Sequence, residues 1–329
     1  MSRKLFALSL TATLMGGAAY ADTPQVAVDI APVHSLVARV MAGIGEPDLI
    51  IQPGASPHEY SLRPSEASAL QAANLVFWIG PDLTPWLTDT IETLASDAVV
   101  TKLMEADGTI ELEFREGALF EAHDHGDDHG DDDDHDDHGD DDDHDDHDEA
   151  ENEHEGHDHG AHDPHAWLSP KNAMNWLNVI AGRLSAVDPD NAGAYFANAA
   201  AGRTEIETLI GEVTATLDPV RGGQFIVFHD AYQYFEMDFD FPASGAISIG
   251  DASDPSPARI AKIQARITEQ GIDCVLAEPQ FNPGLVATVL DGTDAQTGIL
   301  DPLGSDLEPG PAFYPQLIRN LSTALAGCF

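Results

Sequence analysis

The strongest constraint on the fold is a repeated alternation of short, apolar, β-branched runs with longer stretches of helical pattern. Such runs cover residues 25–30, 48–51 and 75–79, and they return at 225–228 and 274–277. Strands that alternate with helices form parallel sheets with crossover connections. A chain of 329 residues is long enough for two such units. The sequence therefore predicts an α/β protein of two lobes, each with a parallel-type sheet.

One long helix is expected to join the lobes. Apolar residues recur at steps of three and four over residues 190–217, and Pro219 ends the pattern. We therefore assign residues 22–187 to an N-terminal lobe, 188–217 to the connecting helix and 218–329 to a C-terminal lobe. A stiff helical connection limits how far the lobes can close on a ligand.

The first 21 residues have the pattern of a secretory signal peptide. Arg3 and Lys4 precede an apolar run over residues 5–19, and the small residues Ala19 and Ala21 fit cleavage after Ala21. A membrane anchor is the alternative, but the run is shorter than the roughly 20 apolar residues of a membrane span. We expect an exported, soluble protein.

Negative charge is concentrated in one low-complexity segment. The chain has 58 acidic and 14 basic residues, and residues 121–163 contain 23 of the acidic and none of the basic ones. A surface this acidic excludes nucleic acid and anionic membrane as partners and favours cations. The segment repeats a nine-residue unit without any hydrophobic position, so we expect a disordered loop inside the N-terminal lobe.

The distribution of histidine points to a metal site. His58, His165 and His229 lie beyond predicted strands or at the edge of the acidic segment, and ligands of parallel sheets bind at the carboxyl ends of strands. Three imidazoles with neighbouring carboxylates form a site that suits zinc. Eleven of the 15 histidines lie in the acidic segment instead and form a candidate secondary metal loop: His123, His125, His129, His135, His138, His144, His147, His154, His157, His159 and His162.

Three motifs, which contain His58, His165 and His229, resemble those of a known family. They are GASPHEYSLRPS at 54–65, DPHAWLSP at 163–170 and FHDAYQYF at 228–235. They resemble the metal-binding motifs of the cluster A-I periplasmic binding proteins. The His-rich segment before the second motif is typical of the zinc-specific branch, the ZnuA type. The resemblance covers essentially the whole chain after the signal peptide.

This resemblance implies a periplasmic solute-binding protein that captures Zn²⁺ with high affinity in the cleft between the lobes. It would deliver the ion to an ABC permease without catalysing a reaction, and we expect it to act as a monomer. The resemblance assigns His58, His165 and His229 as ligands and matches Asp301 to the fourth position, for which Glu59 or water are the alternatives. The acidic segment would collect additional zinc weakly.

Two other functions stay open. An exported zinc hydrolase also uses three protein ligands and a water molecule. Glu59 and Asp230 are the candidate general bases, although each is more simply a partner that orients an imidazole. A general periplasmic zinc store would use the acidic segment as its main binding element.

The two cysteines, Cys274 and Cys328, indicate a disulfide, because an isolated pair in an exported chain is expected to be oxidised. Two unpaired buried thiols are the alternative. The pair also resembles the C-terminal disulfide of the zinc-specific branch.

Overall fold

The computed structural model describes residues 23–115, 120, 162–248 and 255–329, and it confirms the two-lobe α/β architecture. The signal peptide predicted at 1–21 lies outside the described residues, as do all histidines of the acidic segment except its last one. None of the helices in the described part of the chain combines the length and the apolar composition that crossing a bilayer requires.

The first lobe is built on a parallel sheet with the strand order β2-β1-β3-β4. Its strands are β1 (Val26–Val28), β2 (Asp48–Leu49), β3 (Leu75–Trp78) and β4 (Val99–Lys102). The helices that connect them are α1 (Ala31–Val40), α2 (Pro64–Ala72) and α3 (Leu87–Leu94). Every residue of β1 and β3 is buried, as expected of central parallel strands covered by helices on both faces.

Two long helices follow the first sheet in the chain and pack side by side: α4 (Pro170–Val187) and α5 (Ala192–Leu217). The helix α4 begins where the Ser169 hydroxyl accepts a hydrogen bond from the Asn172 backbone N–H. The predicted connecting helix is confirmed as α5, which has 26 residues. It begins at Ala192, four residues after the start of the assigned range, because a 3₁₀ turn at Pro189–Asn191 precedes it.

The second lobe repeats the topology of the first, with the strand order β6-β5-β7-β8. Its strands are β5 (Phe225–His229), β6 (Ala246–Ser248), β7 (Cys274–Ala277) and β8 (Gln296–Ile299). Its helices are α6 (Gln233–Phe239), α7 (Pro257–Gln270), α8 (Pro283–Leu290) and the final α9 (Phe313–Ala326).

Contacts besides α5 hold the two lobes together. The helix α9 of the second lobe packs against α1 and α5. The backbone N–H of Tyr314 donates to the Ser35 hydroxyl at 2.9 Å, and the Tyr314 hydroxyl donates to the Trp167 carbonyl at 3.0 Å. The Trp167 indole donates to the Pro302 carbonyl at 2.9 Å. These buried hydrogen bonds restrict movement between the lobes around the point where they meet.

The predicted disulfide between Cys274 and Cys328 is confirmed, with 6.0 Å between the two Cα atoms. It joins the residue that opens β7 to the segment after α9. The end of the chain is therefore fixed to the second sheet.

The order of the strands reverses between β1 and β3 and again between β5 and β7, and such reversals are the usual ligand sites of open α/β sheets. At the first reversal, Asp29 follows β1 and accepts hydrogen bonds from the backbone N–H groups of Ile30 and Ile79 at 2.7 and 2.8 Å. Burial raises the pKa of Asp29 to about 7, against the lowering effect of these two hydrogen bonds. The second reversal carries a histidine.

Candidate metal site

His229 is the last residue of β5 and lies at the reversal of the second sheet. Glu278 directly follows the neighbouring strand β7, so the parallel pairing of β5 with β7 places the two side chains together. The imidazole Nδ1 of His229 lies 2.6 Å from Glu278 Oε1, and both side chains are buried. The carboxylate of Glu278 therefore fixes the orientation of the His229 ring.

His165 is held in the same way from the first lobe. Its backbone N–H and its Nδ1 both contact Asp163 Oδ1, at 3.0 and 2.7 Å. The hydroxyl of Tyr234, which is part of α6, donates to the Asp163 carbonyl at 2.8 Å. A short 3₁₀ helix at Ala166–Leu168 follows at once, so the histidine lies on a rigid corner between the two lobes.

His58 lies on the loop between β2 and α2, and hydrogen bonds fasten this loop on both sides of it. The indole of Trp86 donates to the Pro57 carbonyl at 2.8 Å. The hydroxyl of Tyr60 donates to Glu66 Oε1, also at 2.8 Å. The position of His58 therefore depends on α2 and on the turn that leads into α3.

The three predicted ligands His58, His165 and His229 line one small cavity together with Trp167 and Gln280. Its volume is about 10 Å³, which is space for one water-sized sphere and not for an organic molecule. The ring centroids lie 5.2 Å apart for His165 and His229 and 6.0 Å apart for His58 and His165. A single ion is the kind of ligand that fits.

His165 and His229 already have the spacing of two ligands on one ion. Their Nε2 atoms are 3.4 Å apart. Two imidazoles on a tetrahedral zinc ion, with bonds of about 2.0–2.1 Å, have nitrogens about 3.3 Å apart and ring centroids about 5.2 Å apart. Because Nδ1 of each ring contacts a carboxylate oxygen, Nε2 is the nitrogen that each ring offers to an ion.

His58 lies slightly too far out to complete this arrangement. Within the residues that the structure describes, no group of three His, Cys, Asp or Glu side chains already has the geometry of a closed metal site. The centroid distance of 6.0 Å between His58 and His165 exceeds the value for a shared zinc ion by about 0.8 Å. His58 lies on a loop without regular secondary structure, so an inward shift of this loop by about 1 Å would bring the third imidazole to the ion.

The two carboxylates behind the imidazoles are costly to ionise without a cation. Burial raises the pKa of Asp163 to about 7, and the His165 backbone N–H and the charge of Arg115 oppose this rise. Burial also raises the pKa of Glu278, and the contacts with His229 oppose it. A dication in the cavity favours the ionised form of both groups, so metal binding is expected to release protons and to weaken as the pH falls.

The sequence matches the family described as "Zinc-uptake complex component A periplasmic" (ZnuA) over residues 26–328. The chain belongs to the ZnuA family. It is 46% identical over 322 residues to the high-affinity zinc uptake system protein ZnuA of Brucella abortus (strain 2308), a match that covers 98% of this chain and 96% of that protein. The protein of the same name from Paracoccus denitrificans (strain Pd 1222) is 40% identical over 311 residues, or 94% of this chain and 93% of that protein. These matches confirm the family resemblance drawn from the three motifs.

The fold is also that of solved structures. A crystal structure of ZnuA superimposes with a TM-score of 0.71 at 21% identity, over 93% of this chain and 99% of that one. A manganese complex of the binding protein FpvC from Pseudomonas aeruginosa superimposes with the same TM-score at 17% identity, over 93% of this chain and 98% of that one. At these identities the similarity shows the shared fold alone.

Asp301, which the resemblance to the periplasmic binding proteins matches to the fourth ligand position, does not line the cavity of the three histidines. Its carboxylate accepts hydrogen bonds from the backbone N–H groups of Leu303, Gly304 and Ser305 and from the Ser305 hydroxyl, at 2.6–3.0 Å. It lines a separate cavity of about 330 Å³. Glu59, the protein alternative for this position, is exposed. The fourth ligand stays a prediction.

The interpretation of Asp230 as a partner that orients an imidazole is wrong. Asp230 follows His229 in the chain but turns to Arg115, whereas Glu278 contacts the ring of His229. Successive residues at a strand end point to opposite sides, so an immediate neighbour of a ligand is poorly placed to contact its ring.

Of the eleven histidines in the predicted secondary metal loop, His162 is the one that lies within the described residues. It forms an antiparallel bridge with Glu113, and its Nε2 lies 3.7 Å from a carboxylate oxygen of Glu111. The other ten histidines of that loop lie outside the described residues.

Proposed function

We propose that this chain binds one Zn²⁺ ion tightly between its two lobes, through His58, His165 and His229, and delivers it to an ABC permease for import. The observation that carries the proposal is the pair of imidazoles, His165 and His229, which already has the spacing of two ligands on one ion. The role in import rests on membership of the ZnuA family and on the names of its relatives. The fourth position is taken by Asp301, Glu59 or water.

The charges around the cavity support a dication. The three imidazoles are neutral ligands, so they leave both charges of the ion uncompensated. Asp163 and Glu278 are buried and hydrogen-bonded to Nδ1 of two of these rings, and together they supply two negative charges close to the ion. A buried ion needs such compensation, because burying an unpaired charge is costly.

The chemistry of the donors favours zinc over the hard divalent cations. Imidazole nitrogen suits zinc, copper, nickel and iron, whereas Mg²⁺, Ca²⁺ and Mn²⁺ prefer oxygen ligands. A set of three histidines should therefore discriminate strongly against Mg²⁺ and Ca²⁺. Discrimination against Mn²⁺ should be weaker, because Mn²⁺ also accepts nitrogen donors.

In this proposal the chain is exported by cleavage after Ala21, acts as a monomer in the periplasm and performs no catalysis. The acidic segment at 121–163 collects additional zinc through its imidazoles and carboxylates. We expect these sites to be weak, with dissociation constants near micromolar, about −8 kcal/mol each. The site between the lobes should be nanomolar or tighter, about −12 kcal/mol or better.

The direct test is zinc stoichiometry and affinity, measured by chelator competition on the chain with residues 121–161 replaced by a short Gly-Ser linker. This replacement keeps His162 and its bridge to Glu113. One tight site is expected, and His229→Ala should weaken it by orders of magnitude. The matched control is His34→Ala, because His34 is also buried but contacts the Pro47 carbonyl away from the cavity.

Different outcomes would favour the other functions. If the replaced chain has no tight site, the acidic segment holds the metal and a zinc store becomes the better account. Turnover of ester, peptide or lactam substrates that is lost on chelation would favour a zinc hydrolase. For import, cells that lack this chain should lose zinc uptake from zinc-poor medium, and uptake should return with the unsubstituted chain but not with His229→Ala.

A further inference from the structure

The chain before the acidic segment, at residues 110–115, meets residues 162–163 at its end in a short stem that reaches the metal cavity. The backbone N–H of Asp163 donates to the Leu112 carbonyl at 2.8 Å, and Glu113 and His162 form an antiparallel bridge. We call residues 110–115 and 162–163 the stem. Asp163 belongs to it and also holds the ring of His165.

The stem is fastened to α6 of the second lobe. The hydroxyl of Tyr234 accepts a hydrogen bond from the Leu112 backbone N–H at 3.0 Å and donates to the Asp163 carbonyl at 2.8 Å. The side-chain amide of Gln233 donates to the Glu113 carbonyl at 3.1 Å. One turn of α6 thus contacts both strands of the stem.

Arg115, the last residue of the first strand of the stem, makes the charged contacts of this junction. Its guanidinium donates to both carboxylate oxygens of Asp230, with Nε at 3.1 Å from each, and to both oxygens of Glu236, at 2.7 and 3.0 Å. The two carboxylates are each 5% exposed and Arg115 20%. The ring of Phe120 covers the guanidinium, with its centroid 3.6 Å away. Such a buried fork contact has a fixed geometry.

The contact between Arg115 and Asp230 is one residue away from His229, one of the proposed zinc ligands. Asp230 directly follows His229, so the guanidinium that holds Asp230 restrains the backbone that carries the His229 ring. On the other side of the cavity, Asp163 restrains His165. The stem therefore joins the supports of the two histidines whose Nε2 atoms are 3.4 Å apart.

We propose that Arg115 is a positioning residue of the metal site: by binding Asp230 and Glu236 from the base of the acidic segment, it sets the spacing between His229 and His165. This inference deepens the proposed function and rests on it. It assigns a role to a residue that does not touch the ion. Residues that support a ligand from outside the coordination shell typically change metal affinity by about 10–100-fold when they are replaced.

The experiment compares full-length chains with Arg115→Gln, Arg115→Lys and Lys171→Met. Lys171→Met is the matched control. Lys171 of α4 also forms an ion pair with a carboxylate of α6, since its Nζ lies 2.9 Å from Asp238 Oδ1. This ion pair does not involve a neighbour of a histidine ligand. Zinc affinity is measured by competition with a nanomolar chelator, against which micromolar sites of the acidic segment do not compete. The visible spectrum of the Co²⁺-loaded chain reports the geometry at the site itself.

We expect Arg115→Gln to weaken zinc binding about tenfold and to change the Co²⁺ spectrum. Arg115→Lys keeps the charge but not the fork, so it should restore part of the affinity. Lys171→Met should leave both readouts unchanged. Arg115→Gln with unchanged affinity and spectrum would overturn the inference, and so would an equal loss in Lys171→Met.

If Arg115→Gln does not fold, Arg115→Lys tests the positioning role instead. The lysine still provides a positive charge beside the two buried carboxylates, so this variant is expected to fold. Unchanged affinity and spectrum in that variant would then overturn the inference. The two proposals fail in different ways. An unsubstituted chain without a tight zinc site refutes the proposed function, whereas a tight site that is insensitive to Arg115 refutes only its positioning role.

Discussion

Replacing Glu278 by Gln tests whether the buried carboxylate behind His229 contributes to zinc affinity. Gln keeps the size of the side chain and an oxygen that can accept the Nδ1–H hydrogen bond, but it removes the negative charge. The Glu278 oxygen lies 2.6 Å from Nδ1, on the far side of the ring from the cavity. Across the ring and a Zn–N bond of about 2 Å, the charge is about 6–7 Å from the ion.

The attraction between this charge and a dication is about 5 kcal/mol at an effective dielectric constant of 20. Part of this gain is lost, because burial raises the pKa of Glu278 and the metal-free chain therefore resists its ionisation. The remainder should lie in the range of other supporting carboxylates, about 10–100-fold in affinity, or about 1.4–2.8 kcal/mol. We expect Glu278→Gln to weaken zinc binding by this factor.

Chelator competition on the full chain measures this loss, with Asp188→Asn as the control. Asp188 is also buried and hydrogen-bonded, to Tyr195 and Asn191 between α4 and α5, so its amide variant tests the general cost of losing a buried carboxylate. Asp188→Asn should change stability and leave zinc affinity unchanged. If Glu278→Gln binds zinc within twofold of the unsubstituted chain, the argument from charge compensation is refuted.

Three further results are expected. Because the pKa of Asp29 is raised to about 7 in the folded chain, its contribution to the stability of the metal-free protein should be complete below about pH 4 and be lost as the pH rises toward 7. The difference in the free energy of urea unfolding between the unsubstituted chain and Asp29→Asn should therefore fall as the pH rises through this range. Trp86→Phe removes the hydrogen bond to the Pro57 carbonyl and should weaken zinc binding about fivefold through His58, whereas Trp176→Phe, which loses a similar bond to a threonine hydroxyl, should not. Reducing the disulfide should lower the free energy of unfolding by up to about 4 kcal/mol and leave the tight site in place, since the bond lies at the opposite ends of the strands.

The fold was predictable where strands are central and apolar. The buried strands β1, β3, β5 and β7 correspond to runs that the sequence displays. The edge strand β8 does not, because its residues Gln296–Ile299 are mostly exposed and form no apolar run. The edge strand β4 begins with two exposed valines and lacks the same signal. The strands β4 and β8 are recognised by pairing with a neighbour, which is a property of the folded sheet.

The apolar spacing over α5 included more residues than the helix buries. Both Tyr195 and Phe196 fit an apolar spacing, but adjacent residues of a helix lie about 100° apart and cannot both face one core. Tyr195 is fully buried, whereas Phe196 is 51% exposed.

Within the site, the sequence predicts the histidines better than their supports. The motifs identify His58, His165 and His229, and the fold brings all three to one cavity. Glu278 lies 49 residues after His229, and only the pairing of β5 with β7 makes it a neighbour. The available signal was its position directly after a buried strand, where parallel sheets place their ligand-binding residues.

Diffraction from zinc-soaked crystals at the zinc absorption edge would locate the bound ion itself. We expect one dominant anomalous peak between the lobes, about 2.0–2.1 Å from one nitrogen each of His58, His165 and His229. The same map would identify the fourth ligand as Asp301, Glu59 or water. A dominant peak at any place that lacks His165 and His229 would contradict the account.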